Sequence, residues 1–335
     1  MNKVGNIKKN KIFEKDDICA PVCLFTYKRI DSLKKVVDNL KKCSLSEKTR
    51  LYIFSDGARD ESDLAEVEAT RSFIHSIDGF KDIIIIERDN NIGLAENIMG
   101  GVTNVINKHK KVIVLEDDIV PNKFFLEYMN EALIRYADQQ KVMEICGCSL
   151  PTDKDKAFLP QTFLLPWGGC WGWATWFDRW QYFERNPQKF VSQMTDEDIY
   201  KLDRNGTDLI WQQVLDNASG KKKTWAVFWE LAIYLHNGLV LYPNVDMCKN
   251  IGFDGTGENC PIDIRFPKKK LKDQQITEFA NEIKENKEAM ELVMKYSKKI
   301  NRPLSFWQKS YYILFIENKK TVFRNVVKKL FDIEL

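Results

Sequence analysis

Apolar and polar positions alternate in blocks along the first 145 residues, and the blocks change period. Residues 20–26 form a short apolar run with the length of a buried strand, and Leu33, Val36, Val37 and Leu40 follow at helical spacing. The same pair of signals recurs. Leu51–Ser55 reads as a second strand, followed by a charged helix over roughly 61–77. Ile83–Ile86 reads as a third, followed by a helix from about Leu94 to Lys108 that carries Ile98, Val102, Val105 and Ile106. Val112–Leu115 is the fourth strand, and Phe125, Tyr128, Met129, Leu133 and Tyr136 make an amphipathic helix after it. Strand and helix in alternation predict an α/β domain on a Rossmann-like, mostly parallel sheet with right-handed crossovers. In such a sheet the loops after the strands collect on one rim, where ligands bind. Here those loops are Thr26–Arg29, Asp56–Arg59, Asn90–Gly93 and Glu116–Asp118.

The last of these carries the densest chemistry. Three carboxylates, Glu116, Asp117 and Asp118, stand directly after an apolar run. Adjacent carboxylates beside a core repel unless something positive compensates. A hard divalent cation with oxygen ligands would do so, and a solvated acidic turn is the plainer alternative. There is no glycine-rich dinucleotide fingerprint and no P-loop.

The character changes after about residue 145. All nine tryptophans lie from 167 onward, five of them between 167 and 180 among glycines. Such a segment is either a sugar-stacking surface or a tryptophan-rich core. Trp173, Trp176 and Trp180 are at helical spacing and are expected to pack inward, whereas Trp167 and Trp171, in the glycine-rich stretch, are the pocket candidates. Lys320, Arg324 and Lys328 share one helical face with an apolar stripe on another, so the tail is either a basic amphipathic helix at an anionic membrane or a helix packed on the domain.

Composition narrows the class without naming it. A net charge of +3 in 335 residues gives no global signal for nucleic acid. Eight scattered cysteines without paired spacing, with three histidines, argue against structural zinc and for buried thiols in a reducing cytosol. The first 17 residues lack the apolar core of a signal peptide, and no run is long enough to predict a transmembrane helix.

Several segments resemble a known family. Pro21–Arg29 resembles the opening strand and nucleotide loop of GT-A glycosyltransferases, Ser55-Asp56-Gly57 their uridine-contacting turn, and Val114–Asp118 their metal-binding DxD-type motif. The Glu-Asp-Asp form, followed by a proline and a phenylalanine-bearing helix, is similar to the N-acetylglucosaminyltransferase that initiates hybrid and complex N-glycans. Trp171–Trp176 and Asn250–Gly255 resemble family 2-like sugar transferases of bacterial surface-polysaccharide loci. The resemblance covers roughly residues 18–262. It implies a GT-A fold with a mixed, mostly parallel sheet: a nucleotide-binding half over 18–145, an acceptor half over 146–265, and a basic helical extension over 266–335.

The resemblance also implies an activity: metal-dependent, inverting transfer of a sugar from a nucleotide-sugar such as a UDP-sugar to a glycan or lipid-linked acceptor. The setting would be bacterial surface polysaccharide synthesis in the cytoplasm, with peripheral contact at the inner face of the membrane. By it Asp118 is the ligand of Mn²⁺ or Mg²⁺, Glu116 and Asp117 face the ribose and donor sugar, and Asp56 accepts from the base edge. Thr26, Arg29, Gly93 and Asn97 line the donor site; Arg29 read alone is equally an exposed loop cation, and Asn97 a helix-capping or packing residue. Trp167 and Trp171 would meet the acceptor. An inverting enzyme needs a base for the acceptor hydroxyl. By position before the 239–243 strand that base is Glu230, with Asp208 second and Asp178 third; Glu230 is otherwise a partly buried acid paired with a lysine. Relatives carry a histidine after the Asn250–Gly255 run, where this chain has Glu258-Asn259-Cys260, so Asn259, or Glu258 beside it, would have to substitute as a metal ligand. Two other classes stay open: a sugar nucleotidyltransferase, disfavoured by the lack of a glycine-rich, basic loop after the first strand, and a non-catalytic glycan-binding protein on the same fold.

Overall fold

The computed structural model describes residues 19–149, 158–253 and 271–301. The strand–helix alternation is as the periodicity predicts. β1 (Val22–Thr26), β2 (Arg50–Ser55), β3 (Asp82–Glu87) and β4 (Lys111–Glu116) are separated by α1 (Ile30–Leu40), α2 (Leu64–Ile74) and α3 (Leu94–His109). A short β5 (Ile119–Pro121) precedes α4 (Phe125–Arg135) and β6 (Val142–Cys146). β7 (Thr162–Leu165) and β8 (Trp173–Trp176) follow. A helical layer comes next: α5 (Phe177–Trp180), α6 (Pro187–Gln193), α7 (Asp196–Leu202), α8 (Ile210–Ala218) and α9 (Ala226–Leu235). β9 (Leu239–Pro243), β10 (Cys248–Asn250) and α10 (Lys287–Ile300) complete the described chain.

Among the described residues eight strands form one mixed sheet in the order β3-β2-β1-β4-β8-β6-β9-β7, with β10 and β5 as a separate antiparallel pair. β3, β2, β1 and β4 are mutually parallel, while β8 runs against both β4 and β6, and β7 against β9. Thr26, Ser55 and Glu87 are in register and Glu116 lies beside Phe25, so the loops after these four strands share one rim. β6 runs the same way as β4, since both oppose β8, and its end at Cys146 brings residues 147–149 to that rim as well.

The alternation of strand side chains builds two cores. Leu24, Ile53, Ile113 and Leu115 pack with α1 and α4 on one face. Cys23, Phe25, Phe54, Val112 and Val114 pack with α3 and the tryptophans on the other. The tryptophan segment corrects one expectation. Trp173, Trp176 and Trp180 are buried, but Trp173 and Trp176 stand on β8 rather than on a helix. Three residues apart on a strand, they point to opposite faces: Trp176 joins the α1/α4 core and Trp173 stacks on Trp225 in the other. Pairing with β4 and β6 on both sides overrides the helical spacing.

Residues 271–286, between the last described β-strand and α10, carry Ile276 and Phe279 into the α1/α4 core, and Tyr136 donates to the Ala280 carbonyl at 2.7 Å. α10 places Ala289 and Val293 in the tryptophan-side core. The seven described cysteines are thiols. Among the described residues no helix is long and apolar enough to cross a membrane. The basic tail helix expected around Lys320–Lys328 lies outside the described residues, as do Glu258 and Asn259.

Candidate functional site

The acid turn after β4 sits at the centre of the rim, and one arginine faces two of its carboxylates. Arg29, at the start of α1, donates to Asp117 Oδ1 and lies with Nη1 3.0 Å from Asp118 Oδ2. The other oxygen of Asp117 accepts from the Thr26 hydroxyl at 3.1 Å and from the Tyr27 amide at 3.4 Å. Asp117 is thus engaged on both oxygens and buried. Burial pushes its carboxyl up to about 6 against the opposing pull of Arg29. Glu116 is half-buried, and desolvation followed by repulsion from Asp118 and Asp117 pushes it up to about 8. The same two aspartates hold the Arg29 guanidinium charged despite its burial.

Asp118 has a second neighbour of a different kind. β10 pairs with β5 so that Asn250 stands opposite Ile119, and the Ile251 amide donates to the Asp118 carbonyl at 2.9 Å. This folds Gly252 onto the acid turn. A Cβ there would overlap Asp118 Oδ2 and come within 3.0 Å of its Cγ. The backbone approaches the carboxylate closely because residue 252 has no side chain. A hard cation fits here as to donor chemistry, since Asp118 offers carboxylate oxygen at the rim. No group of three or more His, Cys, Asp or Glu side chains converges on a cation site among the described residues, so Asp118 would need oxygens from water or ligand to complete a shell.

Asp56 does other work than facing solvent. It is 4% exposed, and its carboxylate accepts from the backbone amides of Gly57 (3.0 Å), Ile92 (3.0 Å) and Gly93 (2.9 Å). It pins the β3–α3 loop to the end of β2. Gly93, at φ 81°, then turns into α3 with open space where a Cβ would stand. Asn97 is buried one turn later and accepts from Arg88 Nε at 3.3 Å.

The second part of the site is a cavity of about 290 Å³ on the tryptophan side. Trp167, Trp171 and Glu230 all line it. Trp171 links it to the acid turn: its ring meets that of Phe253, next to Gly252, edge-on at 5.5 Å. Glu230, on α9, is 9% exposed. Its partner is an arginine rather than a lysine: Arg204 Nη2 lies 3.6 Å away, too far for a hydrogen bond, and the buried Glu230 Oε1 has no hydrogen-bond partner. Burial pushes Glu230 up to about 7, Arg204 opposing and Asp208 adding. Asp208 stands behind Arg204, pairing with its Nη1 at 2.8 Å and approached at 3.4 Å by Ser297 of α10. Asp178 pairs with Arg179 and bonds Gln140. It follows β8, whose end at Trp176 lies beside Lys111 at the start of β4, so it is on the edge of the sheet away from the acid turn.

Two residues of this region escape a reading of the sequence. Glu144 is fully buried on β6, where it accepts from the Gly169 amide at 2.8 Å and from Trp229 Nε1 at 2.6 Å. It fastens the glycine loop to α9, and burial pushes its carboxyl up to about 8. The signal was present as one acid inside the apolar run 142–146. The other is Arg204, in an Arg-Asn-Gly turn.

No protein-family model matches this chain, and no curated protein sequence matches it. Among solved structures, a mannosyltransferase from Pyrobaculum calidifontis in complex with GDP-Man and Mn²⁺ is similar at 12% identity and a TM-score of 0.39, over 69% of this chain and 73% of that one. S. aureus TarS is similar at 14% identity and a TM-score of 0.28, over 43% of this chain and 23% of its own length. At TM-scores below 0.5 neither likeness fixes a fold family or an activity.

Proposed function

We infer that this chain is a GT-A-like, metal-dependent glycosyltransferase that moves a sugar from a nucleotide-sugar to a glycan or lipid-linked acceptor with inversion. One observation carries the reading: a buried acid turn on the ligand-binding rim stands beside an aromatic cavity that contains an unsatisfied carboxylate, and Trp171 with Phe253 joins the two. Asp118, with Asn259 outside the described residues, would hold the cation. Bound there, Mn²⁺ or Mg²⁺ stabilises negative charge on a departing diphosphate.

The chain's own groups supply the rest. Arg29 is positioned to turn from Asp118 toward a diphosphate. Thr26 and Asp117 hold the Tyr27–Arg29 loop, and Asp56 holds the Gly93 turn, whose open side leaves room for the donor. Glu230 takes the proton of an acceptor hydroxyl at Oε1. Its raised proton affinity suits a base working near neutral pH. Surface polysaccharide synthesis and contact with the inner membrane face belong to the same proposal.

Calorimetric titration of UDP and GDP with and without Mn²⁺ tests it. Metal-linked binding of one nucleotide is expected. Asp118→Ala should remove the metal dependence, and Gly252→Ala, which crowds the Asp118 carboxylate, should weaken it by about 10- to 100-fold. Nucleotide binding that ignores metal, or an Asp118→Ala protein that binds as before, overturns the reading. A second reading, a glycan-binding protein without transfer, is favoured by Arg29 lying against Asp118 where a cation would sit. It predicts sugar binding with no metal-linked nucleotide binding.

A further inference from the structure

The aromatic cavity has a composition that selects among ligands. Its walls are apolar rings and glycine backbone, Trp167, Trp171 and Gly168 among them, and among the described residues its charged lining consists of Arg204 and Glu230. Arg204 is held there at a cost in backbone freedom. Arg204, Asn205 and Gly206 have φ values of 52°, 55° and 71°, a region that glycine and asparagine tolerate but that costs an arginine. The turn is tied by the Thr207 and Asp208 amides, which donate to the Asp203 carbonyl at 2.8 and 2.9 Å. Its effect is to bring the guanidinium to 5.7 Å from the centre of the Trp167 ring and between Asp208 and Glu230. A strained turn that aims one side chain into a cavity is a common mark of a binding site.

The charges then decide. The one cation that the described residues place in the cavity lining is already shared by two carboxylates, Asp208 at 2.8 Å and Glu230 at 3.6 Å. Among the described residues no lysine lines the space. An anionic ligand would have to compete with both acids for Arg204 and would meet Glu230 at close range. A neutral hydroxyl has no such conflict. It can donate to the unpartnered Glu230 Oε1 and accept from the buried, equally unpartnered Arg204 Nε. The C–H faces of a sugar ring match the tryptophan walls. The volume, near the lower end of the roughly 300–1,000 Å³ typical of small-molecule sites, suits one or two rings rather than a long chain.

We propose that this cavity binds a neutral, uncharged sugar residue of the acceptor, with a ring hydroxyl bridging Glu230 and Arg204, and that it excludes acidic sugars. The identification of that sugar as acceptor rests on the transferase reading above.

The test is ligand-observed NMR and tryptophan fluorescence on the full chain, with N-acetylglucosamine, galactose and glucuronate as probes. Galactose or N-acetylglucosamine is expected to bind, and glucuronate to bind at least about tenfold more weakly. Trp167→Ala should abolish the sugar signal. Because that change also removes buried packing, Arg204→Gln serves as a second variant: it removes the cation shared by the two acids and should weaken neutral-sugar binding while leaving the far-UV spectrum unchanged. Glucuronate binding as tightly as the neutral sugars overturns the proposal. So does the absence of binding by any of the three, or a sugar signal that survives both variants. UDP and GDP titrations with Mn²⁺ on the same sample separate the two ideas. Neutral-sugar binding without metal-linked nucleotide binding sinks the transferase reading and leaves the cavity's selectivity standing. Nucleotide binding without sugar binding sinks the selectivity alone.

Discussion

The acid turn and the aromatic cavity are built from the same parts and finished differently. Each sets two acids against one arginine: Asp117 and Asp118 against Arg29, and Asp208 and Glu230 against Arg204. At the turn, the central acid is satisfied by one short segment of chain some 90 residues away. Thr26, Tyr27 and Arg29, within four residues of one another, all donate to Asp117. In the cavity, the acid that faces the space keeps a buried oxygen without a partner. The turn is therefore a scaffold preassembled around Asp117, in which Asp118 and the Arg29 Nη1 that faces it without a hydrogen bond are the exchangeable members, while the cavity holds a carboxylate whose hydrogen bond waits for a ligand. Leaving a buried polar atom unsatisfied is unfavourable, which is why such an atom points to function more strongly than a saturated one.

The comparison is broken or sharpened by three changes. The largest effect is expected for Glu230→Gln. On the proposed reading the substitution keeps the shape and removes the base, so turnover should fall by about 10²- to 10⁴-fold, with a smaller loss of acceptor binding because the amide oxygen can still accept from the sugar hydroxyl. Single-turnover kinetics beside acceptor titration measures the two separately, and an unchanged rate would move the base elsewhere. The next is Arg29→Ala, which strands Asp117 in a buried position. A loss of about 3 kcal/mol in urea unfolding is expected, and a loss near zero would mean that the turn does not depend on its arginine. The smallest is a dependence of stability on pH. Burial raises Asp117 to about 6, Glu230 to about 7 and Glu116 and Glu144 to about 8, above their values in the unfolded chain. The folded state then binds more protons than the unfolded one, so this contribution is full below the unfolded carboxylate range and is lost as pH rises through about 6 to 8. Melting temperature should fall between pH 5 and pH 9, and Glu144→Gln should flatten the fall. A melting temperature that rises over that interval would contradict the burial of these acids.

Much of the first half of the molecule was legible in the sequence, for a local reason. β1, β2 and β4 are apolar runs with the length and burial of interior strands, and their helices repeat at 3.6 residues, so local pattern and global fold agree. The rim loops follow from parallel order alone. The second half was less legible. The β8 tryptophans have helical spacing yet lie in the sheet, because pairing partners from residues 111–114 and 145–146 decide their conformation. That Asp56 also pins the β3–α3 loop, its carboxylate accepting from three backbone amides, two of them more than 30 residues away, has no signal beside Gly57 in the sequence.

What the sequence determined by itself is the parallel run of β1 to β4 and the position of three acids at the end of a buried strand, because these depend on periodicity and on the chirality of crossovers. What only the tertiary structure decided is which acids are spent and which are left available. Arg29 meets Asp117 and Asp118 across some 90 residues, Arg204 meets Glu230 through a left-handed turn, and Gly252 reaches Asp118 only because β10 pairs with β5. Local pattern fixes where a carboxylate stands along the chain. Its charge state and its free oxygens depend on burial and on partners that only the folded chain brings near.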